Sequence, residues 1–260
     1  MTQHVVFISG GTSGINLGIA KGFAAKGAKV LVFGRDAAKA EAAAAEIRAE
    51  SAAEVMAGSA DVRDAAAIAE LFARASAQLG APTVVIAGAA GNFMAPAVAI
   101  SPNGFKTVVD IDLLGTYNVF RAAYDVVAKP GASLIAITAP QAEQPLPQQV
   151  HVCAAKAGVN MVVKVLAMEW GKAGIRVNAI SPGPIMGTEG VARMAPSDAD
   201  KAAWTERTAV KRFGTPADIA NAAIFLSSPE GSYITGTILD CDGGMKLGDA
   251  SGDYLTAPSR

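Results

Sequence analysis

A chain of 260 residues that is 51% hydrophobic can bury a large core, and at this length an α/β fold is commonly one domain. The formal charge of -1, with Lys and Arg scattered, offers no basic field for nucleic acid; Cys153 and Cys241 lie far apart without metal-ligand spacing, so neither a disulfide framework nor a metal site is expected. Short β-rich runs alternate with Ala-rich helical stretches: a strand at 5–9, a helix from about residue 14, a strand at 29–33 and a helix over 36–50. A strand at 54–59, a helix over 64–79, a strand at 83–87 and a long helical region over 103–128 follow. Strand 133–138, helix 150–172, and strands 176–180 and 238–241 complete the series.

This βαβ rhythm predicts an α/β fold, a single doubly wound Rossmann-type domain over residues 1–260 with a seven-stranded parallel sheet. The alanine tracts at 42–45 and 65–67 are ordinary helix, since alanine is the strongest helix former. Residues 182–204 mix Gly, Pro, Met and charge, which reads as a lid or binding loop containing one short helix, and 248–260 reads as a flexible, exposed tail. The first strand-like run begins at His4, leaving no room for a signal peptide, and no apolar stretch is expected to reach the ~20 residues that span a bilayer. The final Ala257-Pro258-Ser259-Arg260 is not a peroxisomal address, so the expectation is a cytoplasmic protein without membrane or nucleic-acid partners.

Gly10, Gly11 and Gly14 lie between a predicted strand and helix, where missing side chains let backbone N–H groups approach phosphate at the positive helix end. Gly10, Thr12, Ser13, Gly14 and Ile15 are therefore assigned to a dinucleotide. Asn16 stands where a further glycine is normal, so crowding of helix against sheet is expected there. The second strand ends in Phe33-Gly34 with no acidic residue, and Arg35 follows directly, which favours the 2'-phosphate of NADP(H). The competing reading makes Arg35 a solvated loop residue and Asp36 a helix cap. Asp61 and Val62, after the third strand, are placed to meet the adenine ring, with a plain N-cap as the competitor for Asp61.

Ser9 to Gly18, Asp61-Val62, Lys156-Ala157-Gly158, Ile175-Arg176-Val177-Asn178, Pro182-Gly183 and Asp242-Gly243-Gly244 together resemble the short-chain dehydrogenase/reductase family over nearly the whole chain. Ala89-Ala90-Gly91-Asn92-Phe93, residues 105–112, Gln149-Val150-His151 and residues 184–190 look closest to its 2,4-dienoyl-CoA reductase branch, particularly the peroxisomal type. In most of the family a Ser, a Tyr and a Lys act with a helix Asn on an alcohol or ketone. Here Ala139 stands at the Ser position, Val152 at the Tyr and Asp112 at the Asn, and only Lys156 remains. The dienoyl-CoA reductase branch is similar in lacking the tyrosine, and its peroxisomal type in carrying an Asp. The resemblance also implies cofactor contacts from Pro182, Gly183, Ile185 and Thr188, and acyl-CoA contacts from Arg63, Phe93, Ser101, Asn103 and Arg193. It further implies a homotetramer built on the 103–128 and 150–172 helices, and a place in fatty acid β-oxidation.

Reduction of a ketone puts charge on oxygen, where a phenol can protonate it; Val152 cannot. Hydride added to the far end of a conjugated dienoyl thioester instead spreads charge to the thioester oxygen, and protonation can occur at carbon from an ordered water. Lys156 would hold the nicotinamide ribose and supply positive charge. Asp112 could orient the water or donate the proton itself, although a nearby ammonium opposes the second role. His151 lies about 140° around the helix from Lys156, so it is expected to be a structural or rim histidine. The reading is an NADPH-dependent 2,4-dienoyl-CoA reductase with catalytic Lys156 and Asp112. Its rivals are a ketone or alcohol oxidoreductase with a different acid, and a catalytically silent NADP(H)-binding sensor or scaffold.

Overall fold

Strands β1 (Val5–Ser9), β2 (Lys29–Gly34), β3 (Val55–Ser59), β4 (Val84–Ala87), β5 (Ser133–Ile137), β6 (Arg176–Pro182) and β7 (Ile238–Cys241) form one sheet. Their order is β3-β2-β1-β4-β5-β6-β7 and all pairs are parallel, as in the register Phe7↔Leu31 and Phe7↔Val85. The computed structural model describes residues 3–252; the rest of the anticipated tail, 253–260, lies outside them.

Period-two alternation divides each central strand between two cores. Phe7, Leu31, Val85 and Leu134 face helices α3 (Ala65–Leu79), α5 (Gly115–Val126) and α6 (Val150–Trp170). Val6, Ile8, Val30 and Val32 face α1 (Gly14–Ala24), α2 (Ala37–Glu50) and α9 (Pro216–Ser227). Phe72 of α3 meets Phe7 and Phe33 edge-on, at centroid separations of 5.2 and 5.6 Å. The strand order reverses between β1 and β4, which opens a crevice beyond their C-terminal ends, the usual ligand position in such sheets.

Four expectations require correction. The 103–128 region is not one helix: α4 (Pro102–Val109) and α5 are joined by a π-helical turn, Asp110–Leu114. The 182–204 region contributes two helices, α7 (Glu189–Met194) and α8 (Asp198–Arg207), because Thr188 and Ser197 each cap a helix start. The segment at 248–252 is tied to α8: Ala250 N–H donates to Arg207 O at 3.1 Å, and Asp249 pairs with Arg207 at 3.2 Å. Finally, Val150–Ala173 is 24 residues of mean hydropathy 1.4, long and apolar enough to cross a bilayer. Half of its apolar window is buried inside the protein, where packing on the sheet accounts for the composition.

Candidate active site

The β1–α1 loop, Gly10 to Ser13, passes over the switch point. Gly10 has φ +66°, and a Cβ there would lie 2.9 Å from the Ala89 backbone, so only glycine fits this approach of two chain segments. Ser9 Oγ accepts from Gly88 N–H at 3.0 Å and fixes the β1 and β4 loops together. The Ser13 side chain makes no cap hydrogen bond to α1, which leaves the first-turn N–H groups available to an anion. The crowding expected at Asn16 is relieved by Gly88: Asn16 Nδ2 donates to Gly88 O at 2.8 Å in space that any Cβ on residue 88 would fill.

These segments border a cavity of about 1170 Å³, above the ~300–1,000 Å³ common for ligand pockets. Gly10, Thr12, Ser13, Gly14, Ile15, Arg35, Asp61, Val62, Lys156, Pro182, Gly183, Ile185 and Thr188 all line it. The glycine approach, the open helix start and the cation at the far end suit a dinucleotide with phosphate groups. Arg35 lines the cavity while Asp36 caps α2 through Lys39 N–H, so the two readings of that dipeptide each describe one of its residues. Asp61 is not the cap of α3; Asp64 is, accepting from Ala67 N–H at 3.0 Å. Thr188 caps α7 and donates to Ile185 O at 2.7 Å.

Of the two catalytic candidates only Lys156 lines this cavity; Asp112 lies behind it, outside the lining. Lys156 Nζ donates to Ile137 O at 3.0 Å and lies 3.2 Å from Asp112 Oδ2. Their side chains are 8% and 1% exposed, so this is a buried ion pair. Asp112 Oδ1 accepts from Gly91 N–H at 2.7 Å, whereas Oδ2 has the ammonium at ion-pair distance without hydrogen-bond alignment. Asp112 belongs to the π-helical turn, where the extra residue re-aims side chains relative to a regular helix. Val152 is buried against Val108 and Ala155, so the position of the missing phenol is packed with hydrocarbon. Among the described residues no tyrosine lines the cavity, and Ala139 does.

His151 is 0% exposed, so of its two readings, structural or rim, burial agrees with the first and excludes the second. Its ring stacks on Phe93 with centroids 4.2 Å apart and planes tilted by 33°. Burial pushes its pKa below the ordinary value, opposed by the Phe93 backbone and the Asp112 charge.

The proposed acyl-CoA residues lie outside the cavity lining and fall into two groups. Phe93, Ser101 and Arg193 are close neighbours: Gly104 lies against both the Phe93 ring and Ser101 Oγ, and Arg193 donates to Asn92 O at 2.9 Å. Ser101 caps α4, and Asn103 sits in its exposed first turn. Arg63 lies apart, forked onto Asp61 through Nε and Nη2 at 2.6–3.1 Å. That guanidinium holds the Asp61 carboxyl below its usual range, with Arg35 adding to the effect. Sequence reasoning missed Leu146, Met194, Trp204, Arg207 and Met245, which line the outer cavity and carry no motif.

The family described as Enoyl-(Acyl carrier protein) reductase matches residues 10–246. The chain belongs to the short-chain dehydrogenase/reductase family, and it is an oxidoreductase of that family. It is 39% identical over 245 residues to a peroxisomal 2,4-dienoyl-CoA reductase [(3E)-enoyl-CoA-producing] of Mus musculus, covering 94% of this chain and 84% of that one. A probable 2,4-dienoyl-CoA reductase [(2E)-enoyl-CoA-producing] of Bacillus subtilis is 38% identical over 250 residues, covering 95% and 98%. A crystal structure of a short chain dehydrogenase from Bacillus anthracis superposes with a TM-score of 0.81 at 36% identity, covering 93% and 96%.

Proposed function

We propose that this protein reduces a conjugated 2,4-dienoyl-CoA, or a related unsaturated acyl-CoA, with NADPH. The observation that carries the reading is a buried Lys156–Asp112 pair whose lysine lines the large cavity, with Val152 buried in hydrocarbon where a phenol would stand. The relatives named as dienoyl-CoA reductases support the substrate class. Arg35 is the cation suited to a 2'-phosphate, and this supports NADPH over NADH.

When bound, the nicotinamide supplies hydride to the far carbon of the diene. Lys156 places positive charge where electron density accumulates on the extended thioester, so no hydroxyl acid is required at an alcohol oxygen. Asp112, held by Gly91 N–H through Oδ1, offers Oδ2 as acceptor to a water that protonates carbon. Phe93, Ser101, Asn103 and Arg193 form the acyl-CoA side of the site, and Arg63 exchanges Asp61 for a CoA phosphate. Exposed Leu114 and Tyr117 near the start of α5, with Met161, Val165 and Met168 on α6, support a homotetramer built on these helices, measurable by light scattering.

The test is NADPH consumption with dienoyl-, enoyl- and ketoacyl-CoA esters. Faster turnover of the dienoyl ester is expected; faster turnover of the ketoacyl ester, or NADPH binding without turnover of any ester, contradicts the reading.

A further inference from the structure

The Asp242-Gly243-Gly244 turn takes no part in the chemistry above, and its construction shows what it positions. Buried Asp242 accepts from Gly244 N–H at 2.9 Å through Oδ1 and from Lys246 N–H at 2.8 Å through Oδ2. Gly243 and Gly244 have φ of +65° and +80°, and a Cβ on either would lie 2.7–2.8 Å from Thr208, Ala209 or Val210. The chain leaving β7 therefore turns directly against the residues that follow α8, and Met245, Gly248 and Asp249 come to line the outer cavity.

Residues 245–250 form a strap fastened at both ends. Lys246 Nζ pairs with Glu143 at 2.5 Å and Asp240 at 2.9 Å, which ties the strap to the loop after β5. Arg207 Nε pairs with Asp249 at 3.2 Å, Ala250 N–H donates to Arg207 O at 3.1 Å, and Lys211 Nζ donates to Ala250 O at 2.9 Å, which ties it to the end of α8. Met245 is thereby held in one cavity wall with Leu146 of that loop, Met194 of α7 and Trp204 of α8. Leu146 is 40% exposed and the other three are half-buried, so this wall turns hydrocarbon to the cavity. Its charged members, Arg207 and Asp249, are paired with each other.

The cavity is polar and glycine-lined at the β1–α1 end and apolar here, so a ligand matched to this end carries hydrocarbon. In the substrate class proposed above, the acyl tail beyond the diene is hydrocarbon throughout. Resting on that reading, we propose that Leu146, Met194, Trp204 and Met245 form the subsite for the acyl tail and that the strap sets the chain length it accepts. Trp204 offers the largest apolar face, and the two unbranched thioethers repack around chains that differ in length or bend. Each methylene taken onto the wall leaves water and raises kcat/KM about fourfold; past the strap the tail returns to solvent and the gain stops. Phe93, Ser101, Asn103 and Arg193, outside this lining, are left for the CoA end.

The test is kcat/KM of the full chain for 2,4-dienoyl-CoA esters lengthened in steps of two carbons, beside Tm and the Kd for NADPH. The wild type is expected to gain about tenfold per step up to a break and little beyond it. Trp204→Ala, which removes the largest face of the wall, lowers the gain before the break to about threefold per step. Met245→Trp, which fills the cavity from the strap, brings the break about one step earlier and cuts the ratio of longest to shortest ester about tenfold. A wild-type profile that does not vary with chain length, an unchanged gain and break in both variants, or a loss equal at every length that tracks Tm or NADPH affinity overturns the proposal. Absence of dienoyl-CoA turnover at every length in the wild-type chain overturns the function as well; turnover whose profile neither variant alters overturns this assignment alone.

Discussion

Replacing Asp112 by Asn separates the structural from the chemical role of the buried pair. The amide keeps the shape and the acceptor for Gly91 N–H, but leaves the Lys156 ammonium with only the Ile137 carbonyl. At 3.2 Å the pair attracts by about 5 kcal/mol at an effective dielectric of ~20, partly offset by desolvation. Stranding one member of a buried pair costs about 3–5 kcal/mol, and the lower end applies here because Lys156 borders the cavity, where water reaches it. For a chain of this length ~3 kcal/mol corresponds to a fall in Tm of about 6–12 °C. Asp112→Asn with Lys156→Met removes the stranded charge and should recover most of that fall. Turnover of the dienoyl ester drops about 10²- to 10⁴-fold in both variants. Scanning calorimetry beside steady-state kinetics reads both quantities. A loss under about 1 kcal/mol in the single variant, or no recovery in the double, refutes the coupling.

Arg35→Ala should raise KM for NADPH about 10- to 100-fold and change KM for NADH little, because one charge-assisted phosphate contact is worth ~1.5–3 kcal/mol. Gly88→Ala puts a Cβ 2.2 Å from Asn16 Oδ1 and should destabilise by about 1–3 kcal/mol in urea titration, with relief when Asn16→Ala is added. Asp218 closes the capping box at the start of α9, accepting from Thr215 N–H, and is forked by Arg212 at 2.8 and 2.9 Å, which holds its carboxyl well below the usual carboxylate range. A depressed folded-state pKa stabilises above the unfolded value, so the Tm gap between wild type and Asp218→Ala should be full at pH 7 and shrink as pH falls below about 4.

The cofactor half was legible because its chemistry is local: glycines between a strand and a helix, then Arg35 at a strand end, define positions without tertiary knowledge. The strands were legible for the same reason, since buried parallel strands read as short apolar runs. Helix α9 was not assigned, although Thr215-Pro216-Ala217-Asp218 carries a capping box with proline at the first turn, the signal that would have found it. The π-helical turn was invisible, because inserting one residue into a helix leaves its composition and approximate periodicity unchanged. His151 was judged on a helical wheel of its own helix, whereas its environment comes from the Phe93 loop 58 residues away in sequence. Arg63 was assigned to a ligand, and the fork it makes with Asp61 two residues earlier followed from no periodicity argument.

The most direct test of a carbon-protonating site without a hydroxyl acid is isotope tracing of a dienoyl-CoA. One incubation uses 4-deuterated NADPH in H₂O and the other unlabelled NADPH in D₂O, with the products located by NMR. Deuterium on a single acyl carbon in each case, at two different carbons of an intact thioester, is the predicted result. No incorporation from D₂O at carbon, or cofactor label found only on a carbinol carbon when a ketoacyl ester is supplied, contradicts it.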